Sequence, residues 1–533
     1  MSERDEETAG TVGFSRRALL RGGAALAAGL PLGAPLGLAA GAAEIPGRDG
    51  EAYRVRMAAA DLQRAGSRSA QAANGDEAEI PDYAAVYSKA LPHDRLGVVN
   101  PEAYALLLRA LRSGDPRDFE FIPKVGEVKL TDPQAGYAFN LIGADPWAIA
   151  CPPALRFGGA EQAAEMVELY WQALARDIPF ARYDSDPLTA RAAGELARLR
   201  GRPVTPASLF RGDSAGSLAG PYLSQFLWQE ILYSPLPVEQ KIRTAVPGRD
   251  YLGDYDRWLD TQNGVPTGPP ALGAVPCYVR NGRDLAEFVH RDFIYQGALS
   301  AGLILLKMGA PANPGNPYAH SSGQAGFSTF GAPYLFYLIA TVTQAALNAC
   351  WFQKWMVHRR LRPEELGGRL ENHLAKRAAY PLHPSLLDSA ALAETLRPRS
   401  SALLSSSYPE GCPTHPAYPA GHAVVSAAGI TVLKAFFDEA WVLPEAVTAS
   451  ADGLSLARYD GPPLTVGGEL DKLATNIGLG RMFAGIHWRS DIEAGLRLGE
   501  EMAISVLREL QLTCREPFSG FRFHRLDGRP VAA

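Results

Sequence analysis

Three short segments in the C-terminal part of the chain contain residues that suit a tetrahedral oxyanion. They are residues 354–363 (KWMVHRRLRP), 419–422 (PAGH) and 481–491 (RMFAGIHWRSD). The residues of interest are three cations, two histidines and a glycine beside a predicted helix start. Cations and backbone N–H groups bind the oxygens of such an anion. Because histidines also transfer protons or bond to the central atom, the pattern predicts a reactive site.

The first segment contains Lys354 and Arg362, eight positions apart. On a straight helix this spacing is about 80° of rotation and about 12 Å of rise, so both reach one site only if the helix ends near Arg362. Pro363 predicts that end, because the residue before a proline is pushed out of helical geometry. The residues between, 358–360 (HRR), are expected to face solvent or structural partners. A basic helix end is also common at protein surfaces, so this segment alone is weak evidence.

The second segment places Gly421 and His422 at the start of an apolar helical pattern. Glycine lets a ligand approach the backbone closely, and the first N–H groups of a helix bind anions. A histidine at a helix start is often structural. His415 lies seven residues earlier, however, and two of the chain's ten histidines within one short window favour a functional role.

The third segment contains Arg481 and His487, which a straight helix would hold about 120° apart. Gly485 lies between them and is the expected break that lets both reach one site. His487 and Asp491 are spaced i and i+4, so they share a helix face. Asp491 then accepts a hydrogen bond from one ring nitrogen and leaves the other as nucleophile or ligand. Taken alone, this pair is equally typical of a buried structural contact.

The joint order of these segments resembles the signature of the phosphatidic acid phosphatase type 2 superfamily, which includes the vanadium-dependent haloperoxidases. The spacing of Lys354 and Arg362 is similar to that of the algal and bacterial bromoperoxidases. The runs QKWMVHRRLRPEELGG, THPAYPAGHA and AGIHWRSD are also similar to that group, as are FSTFGAPYL at 327–335 and FRGDSAGSLAGPYLSQFL at 210–227. The resemblance covers most of residues 200–505.

The resemblance implies a vanadate cofactor, with vanadium(V) bonded to a ring nitrogen of His487. It implies that the oxyanion is surrounded by three cations and one backbone N–H group, namely Lys354, Arg362, Arg481 and Gly421. His422 matches the acid–base histidine of the family and also contacts the cofactor. His415 matches a second histidine near the site of the algal type.

The implied reaction oxidises a halide, with bromide favoured, by hydrogen peroxide. Its product, hypohalous acid, halogenates a small organic acceptor. Lys354 would polarise the peroxide for attack by the halide. Trp351 and Phe352 lie within one turn of Lys354 and are expected on the halide side of the site. Relatives of this type also imply a homo-oligomer, a dimer or larger.

One position departs from the family pattern. Where the family usually has Pro-Ser-Gly-His, this chain has Ala420 in place of the serine. The loss of one hydroxyl donor to a charged group costs roughly 1.5–3 kcal/mol of binding if nothing replaces it. We therefore expect vanadate to bind more weakly here than to a site with the serine.

Two other functions use the same residues. An exported acid phosphatase would use His487 as nucleophile, forming a phosphohistidine, and His422 as proton donor to the leaving group. The long Lys354–Arg362 spacing and the long gap between His422 and Arg481 favour the haloperoxidase. A non-catalytic oxyanion binder would need cations and N–H donors but not two opposed histidines.

Hydrophobic periodicity predicts an all-α protein, because no strand alternation recurs along the chain. We expect helical bundles, two four-helix bundles joined by long irregular connections, with the oxyanion site in the C-terminal bundle. The predicted helices are Pro101–Arg112, Ala160–Arg176, Leu188–Leu199, Tyr222–Leu232, Asp284–Met308, Leu335–Arg360, Gly421–Ala440 and Leu470–Leu510 with a break near Gly485. Polar residues interrupt the apolar stretch from Tyr334 to Cys350, which favours a buried core helix and no stable membrane insertion.

The N-terminus predicts an export signal. Arg16 and Arg17 precede an Ala/Gly/Leu-rich stretch that ends in small residues near Ala43. This order is typical of a twin-arginine signal, although a disordered tail with a chance Arg pair is the alternative. We therefore expect residues 1–43 to be a signal and the mature protein to be periplasmic or extracellular.

Composition and Pro/Gly-rich connections predict the remaining organisation. We expect an arm or peripheral region at 44–100, helical regions at 101–273 and 274–515, and a tail at 516–533. The net charge of −5 gives no bulk positive field for nucleic acid. The five cysteines form no C-x-x-C pair, which argues against zinc or a redox dithiol and favours buried thiols.

Overall fold

The computed structural model describes residues 47–66 and 69–533, so the predicted signal at 1–43 lies outside the described residues. Helices dominate, and the all-α prediction is confirmed. The α-helices of the described residues are α1 (Gly47–Ala65), α2 (Asp76–Glu79), α3 (Pro101–Ser113), α4 (Pro116–Glu120), α5 (Ala160–Ala175), α6 (Pro187–Arg200), α7 (Ala215–Leu218), α8 (Tyr255–Gln262), α9 (Gly282–Phe288), α10 (Gln296–Lys307), α11 (Ala332–Phe352), α12 (Pro363–Leu374), α13 (Pro384–Leu387), α14 (Ala390–Arg399), α15 (Gly421–Phe436), α16 (Val466–Phe483) and α17 (Arg489–Leu510).

Sheet structure is limited to small antiparallel hairpins in the described residues. The strands pair as β1 (Ile231–Tyr233) with β2 (Leu236–Val238), β3 (Val447–Ala449) with β4 (Leu456–Arg458), and β5 (Arg522–His524) with β6 (Pro530–Ala532). Single 3₁₀ turns occur at Pro81–Tyr83, Pro133–Tyr137, Phe180–Arg182, Pro206–Ser208, Gln225–Leu227 and Gln511–Thr513.

Helix α15 is the centre of the helical packing. It contacts α10, α11, α16 and α17, and every residue in it except His422 is buried. A helix that is apolar on all sides is stable only when other helices cover it. The single partly exposed side chain therefore lies at the helix start, where the sequence predicts chemistry.

Glycines on α17 let it approach α15 closely. A Cβ at Gly499 would lie 1.9 Å from the Val424 carbonyl oxygen, and one at Gly495 would lie 2.8 Å from that of Ala420. At the same contact, the Ala420 N–H donates to the Asp491 carbonyl over 2.9 Å. The two helix starts that carry His422 and the His487–Asp491 pair are therefore held side by side.

The long predicted helix at Leu335–Arg360 is wrong in its last turns. Helix α11 ends at Phe352 and continues as a π-helical turn, Gln353–His358, after which Arg359 adopts a φ of 38°. Pro363 is the first residue of α12 rather than the end of α11. Proline suits both places, since it restricts the residue before it and fits the first helical turn.

Two further predicted helices are also wrong. Tyr222–Leu232 is a 3₁₀ turn followed by β1, because Ile231 pairs with Val238 in a hairpin. Asp284–Met308 is divided into α9 and α10 by an irregular stretch at 289–295. Within that stretch the Val289 carbonyl accepts a hydrogen bond from the distant Arg481. Such long-range contacts do not register in local periodicity.

The predicted break near Gly485 is confirmed. Helix α16 ends at Phe483 and α17 begins at Arg489, and Gly485 between them has a φ of 83°. Glycine adopts this left-handed conformation at little cost, whereas a side chain there is strained. The helices predicted near residues 101, 160 and 188 correspond to α3, α5 and α6, with ends within a residue of the prediction.

The apolar stretch Ala332–His358 is long and apolar enough to cross a membrane by length and composition alone. Half of its most apolar window is buried inside the protein, and α11 packs against α15 and α17. Those contacts favour the predicted core helix. All five cysteines are reduced in the described residues, and four of them are buried, as predicted.

Contacts divide the chain into Met1–Arg56 and Met57–Ala533. The main apolar core of the second unit joins side chains from the predicted N-terminal helical region, such as Tyr170, with Leu433 and Met502 from the C-terminal one. The predicted boundaries within this unit and the number of helical bundles stay predictions.

The close α15–α17 contact predicts a large stability difference between two glycine-to-alanine substitutions. Gly499→Ala should lower the free energy of unfolding by about 1–3 kcal/mol or more, because the new methyl group collides with backbone. The matched control is Gly194→Ala in the exposed part of α6, where a Cβ would meet nothing within 4 Å. That change should stabilise by about 0.5–1 kcal/mol. Denaturant unfolding measures both, and equal stability of Gly499→Ala and the parent protein would contradict the packing.

Candidate oxyanion-binding active site

Three buried cations converge in the C-terminal half of the protein. Lys354 and Arg362 are fully buried and Arg481 is 6% exposed. Among the described residues none of the three forms an ion pair with a carboxylate. Burial of unpaired charge is unfavourable unless another charge offsets it. The arrangement therefore favours a bound anion.

Carbonyl oxygens orient two of these side chains. Lys354 Nζ donates to the carbonyls of Pro416 and Ala417, over 2.7 and 2.9 Å. Arg362 donates to the carbonyls of His415 and Ile486. These dipoles fix the direction of the side chains, but they leave the positive charge itself in place.

Arg481 is held less completely. Its Nη1 donates to the Val289 carbonyl over 2.6 Å, and its guanidinium lies 5.5 Å from the ring centre of Tyr408. Its buried Nε has no hydrogen-bond partner among the residues that the structure describes. A buried N–H donor without a partner is unfavourable, so this atom is suited to donate to an anion.

The mutual repulsion of the cations is visible in Lys354. Burial, together with the charges of Arg362 and Arg481, lowers the pKa of Lys354 to about 7 against the opposing effects of Cys350 and Asp491. A lysine with so low a pKa changes charge near neutral pH. An anion beside it would restore the protonated form.

His487 is held in one tautomer by two neighbours. Its Nδ1 donates to Asp491 Oδ2 over 2.8 Å, and its Nε2 accepts from Arg362 Nη1 over 2.8 Å. Burial, and then the charges of Arg362 and Lys354, lower the pKa of His487 well below its ordinary value. The ring is therefore neutral, and its Nε2 lone pair points toward the cations. Such a nitrogen can bond to an electrophilic centre when that centre takes the place of the Arg362 hydrogen bond.

Asp491 is in turn fixed by Arg360, which the sequence placed only with solvent or structural partners. Arg360 Nη1 donates to Asp491 Oδ1 over 2.7 Å, and Nη2 donates to Gln162 Oε1 over 2.6 Å. Arg360 is 3% exposed. The buried guanidinium fixes the orientation of the Asp491 carboxylate, whose Oδ2 accepts from His487 Nδ1 and so sets the tautomer of His487. No spacing rule distinguishes Arg360 from its neighbours in the segment.

The start of α15 contributes backbone donors. Gly421 and His422 are its first residues, and Ala420 precedes them without a side-chain cap. The N–H groups of a first turn have no partner inside the helix. A Cβ at Gly421 would meet the protein only at ordinary contact distances, the nearest being 3.5 Å from Trp351. Packing against protein thus does not require glycine here, and the missing side chain leaves the backbone N–H open to close approach by a ligand.

His422 is paired with Asp292, a residue that the sequence reasoning missed. His422 Nε2 donates to Asp292 Oδ1 over 2.9 Å. Burial lowers the pKa of His422, and Asp292 opposes that effect. Asp292 lies in the irregular stretch between α9 and α10. Because local periodicity predicted one helix there, nothing in the sequence separated Asp292 from other helical surface residues.

His415 lies against the same cations. Its Nδ1 accepts from Arg362 Nη2 over 3.0 Å, and its ring centre is 4.8 Å from that of Trp351. Burial and the charges of Lys354 and Arg362 lower the pKa of His415 well below its ordinary value. Phe352 is half-buried at the end of α11.

The structure thus brings together the cations, the histidines and the helix start that the sequence singled out, whereas no hydrogen bond or ring contact connects Phe352 with them among the described residues. Three cations, two neutral histidines and a helix start surround one region, and a third histidine lies beside it. The set can bind a tetrahedral anion, bond to it through His487 Nε2 and exchange protons through His422.

A separate groove of about 1170 Å³ is lined in part by residues of α16 and α17. Its lining mixes carboxylates such as Asp471 and Glu501 with cations such as Lys434 and Arg525, and it includes none of the residues of the oxyanion site. Because these two cations are paired with those carboxylates, the groove is less suited to an oxyanion than the site described above.

Comparison with known proteins agrees with this geometry. A family model described as the VCPO second helical-bundle domain matches residues 334–516. The vanadium-dependent bromoperoxidase of Ascophyllum nodosum is 37% identical over 518 residues, which is 91% of this chain and 92% of the relative. That of Corallina pilulifera is 33% identical, over 90% of this chain and 97% of the relative.

The fold is similar as well. The homohexameric structure of the second vanadate-dependent bromoperoxidase from Ascophyllum nodosum matches with a TM-score of 0.84 and 30% identity, covering 93% of each chain. The chain belongs to the vanadium-dependent haloperoxidases.

Proposed function

We propose that this protein uses vanadate to oxidise a halide, with bromide favoured, by hydrogen peroxide to hypohalous acid, which halogenates small organic acceptors. The observation that carries the proposal is the set of three buried cations without carboxylate partners among the described residues, beside the Nε2 of a neutral His487. The relatives named as vanadium-dependent bromoperoxidases support the choice of reaction and of bromide.

The donor set fits vanadate. Lys354, Arg362 and Arg481 would offset its negative charge, and the unpartnered Nε of Arg481 and the Gly421 N–H would donate to its oxygens. His487 Nε2 would bond to vanadium(V), since imidazole nitrogen is a suitable ligand for such a centre. When bound, vanadate supplies a Lewis acid that activates peroxide without a change in oxidation state.

The remaining side chains handle protons and charge. His422, oriented by Asp292, accepts or donates the protons exchanged as peroxide enters and product leaves. Lys354 places its charge where negative charge develops on the reacting oxygen. Asp491 and Arg360 keep His487 in the tautomer that presents Nε2. His415 and Trp351 form the side of the site where we place the halide.

We further propose that the protein is a homo-oligomer, a dimer or larger, exported through a twin-arginine signal to the periplasm or outside the cell. The homohexameric relative supports assembly. The order of Arg16, Arg17 and the apolar stretch supports export.

A bromination assay separates this function from that of an acid phosphatase. With vanadate, peroxide and bromide, the protein should brominate an electron-rich test compound, and it should hydrolyse an aryl phosphate poorly. His487→Ala should abolish bromination, because no other ring nitrogen takes the same position in the part of the chain that the structure describes. His320→Ala, in an exposed loop, is the matched control and should keep full activity. Hydrolysis without bromination would instead establish the phosphatase, and bromination by His487→Ala would rule out the assigned ligand.

Ala420→Ser should tighten vanadate binding. A new hydroxyl just before the first turn of α15 adds one donor to a charged group, worth roughly 1.5–3 kcal/mol, or about 10- to 150-fold in Kd. Ala427→Ser, two turns further along α15, is the control, since its hydroxyl would bond back to the helix. Equilibrium binding of vanadate measures the effect. An unchanged Kd in Ala420→Ser would mean that position 420 does not face the oxyanion.

Anion binding should be coupled to proton uptake by Lys354. The pKa of Lys354 is lowered to about 7, so the group is largely neutral at about pH 8, and a bound anion would raise that pKa and draw a proton. Calorimetry of inorganic sulfate binding, with an anion that does not itself titrate in this range, in buffers of different ionisation enthalpy should show this uptake at about pH 8 and little at about pH 6.

Lys354→Arg should lack the uptake, because guanidinium stays protonated in this range. Lys124→Arg, an exposed substitution, should behave like the parent protein. The same proton uptake in Lys354→Arg as in the parent would assign the titration to another group.

A further inference from the structure

The irregular stretch between α9 and α10 contacts two site residues at once. The Val289 carbonyl accepts from Arg481 Nη1 over 2.6 Å, and Asp292 Oδ1 accepts from His422 Nε2 over 2.9 Å. The Val289 contact orients a buried cation, and the Asp292 contact orients the proton-transfer histidine. The position of this short stretch, 289–292, therefore affects both sides of the oxyanion site.

His290 anchors that stretch with three contacts. Its ring stacks on Tyr408 with a centre distance of 3.8 Å and an angle of 6°. Its Nδ1 lies 3.3 Å from Glu287 Oε2, and its Nε2 lies 2.6 Å from Glu410 Oε1. The side chain of His290 is 8% exposed. A ring fixed on one face and at both nitrogens restrains the backbone on either side of it.

Tyr408 connects this anchor to Arg481 directly. The Tyr408 ring has His290 stacked on it and the Arg481 guanidinium 5.5 Å from its centre, and its hydroxyl donates to the Ala286 carbonyl. Arg481 Nη1 also lies 3.4 Å from the Tyr408 hydroxyl. Displacement of His290 would therefore alter the support of Arg481 through the ring as well as through the Val289 carbonyl.

We propose that His290, clamped between Glu287 and Glu410 and stacked on Tyr408, is a positioning residue that holds Asp292 against His422 and Val289 against Arg481. It contacts none of the reacting groups itself. The proposal rests on the proposed function for the roles of Arg481 and His422. The contacts of His290 do not depend on that function. None of the sequence motifs includes His290, Glu287 or Glu410.

The charges around His290 make the clamp depend on pH. Burial lowers the pKa of His290, but hydrogen bonds and charge from Glu287 and Glu410 outweigh it, so the pKa of His290 is raised overall. The clamp is then complete below the ordinary pKa of histidine and weakens as pH rises through the raised value. The groups that face this region are Glu287, Glu410, the Tyr408 ring, Arg481 beyond that ring, Arg291 and Asp292 on the same stretch, and Lys89, which binds the Glu410 carbonyl.

Three substitutions in the full-length protein test the clamp. His290→Phe keeps the stacked ring but removes both carboxylate contacts, and Glu410→Ala removes one contact from a side chain that is 48% exposed. Glu410→Gln keeps an acceptor for His290 Nε2. The matched control is His524→Phe, which removes the exposed His524–Glu439 contact at the far C-terminus.

Amide hydrogen exchange and binding of inorganic phosphate are then measured without peroxide or halide. In His290→Phe and Glu410→Ala, exchange across 289–295 should be faster by about tenfold, and the Kd for phosphate should rise by about three- to tenfold. Glu410→Gln should restore values near those of the parent protein, and His524→Phe should change neither. In the parent protein, the exchange rate in this stretch should rise with pH more steeply than intrinsic amide exchange does. His290→Phe should lose that additional rise.

A purely structural role predicts a different result. It would lower the unfolding temperature of His290→Phe and Glu410→Ala while leaving phosphate affinity and local exchange at parent values, and that outcome would overturn the proposal. Failure of Glu410→Gln to restore the parent values would overturn it too. Because these measurements need no halogenation, a protein that fails to brominate would refute the proposed function without deciding the clamp.

Discussion

The uncompensated positive charge of Lys354, Arg362 and Arg481 is the constraint on which the rest of the site depends. Three buried cations without carboxylate partners are costly in a folded protein. The chain offsets part of that cost with carbonyl dipoles from residues 415–417, Ile486 and Val289, and with a pKa of Lys354 lowered to about 7. A multiply charged anion would offset the remainder, so the unpaired positive charge of the folded protein favours binding of an oxyanion.

Helix packing brings these charges to one place. Glycines on α17 allow α15 to approach until the Ala420 N–H reaches the Asp491 carbonyl. That contact sets the donors at the start of α15 next to His487. The π-helical turn after α11 and the left-handed Gly485 then change the direction of the chain. Cations that a straight helix would point in different directions can therefore face the same region. Backbone irregularity at functional sites of this kind is common in helical proteins.

Much of the site follows from residue types and spacing, because an oxyanion needs cations and N–H donors, and because residues spaced i and i+4 on a helix are neighbours. His487 and Asp491 were predictable for that reason, and Gly485 because glycine breaks helices. The ends of α11 and the division between α9 and α10 were not. Each depends on a contact with a distant segment, as when Val289 binds Arg481, and such contacts leave no periodic pattern.

The sequence by itself determined the helical class and the identity of the charged and imidazole groups. It also showed the resemblance to the vanadium-dependent haloperoxidases, which indicates the chemistry of these groups. It also located the departure at Ala420. Only the tertiary structure decided which partners orient those groups: Asp292 for His422, and Arg360 for Asp491. The physical reason is that the pKa values and tautomers depend on burial and on charges within a few ångströms. Those neighbours come from segments more than a hundred positions away, and only folding brings them together.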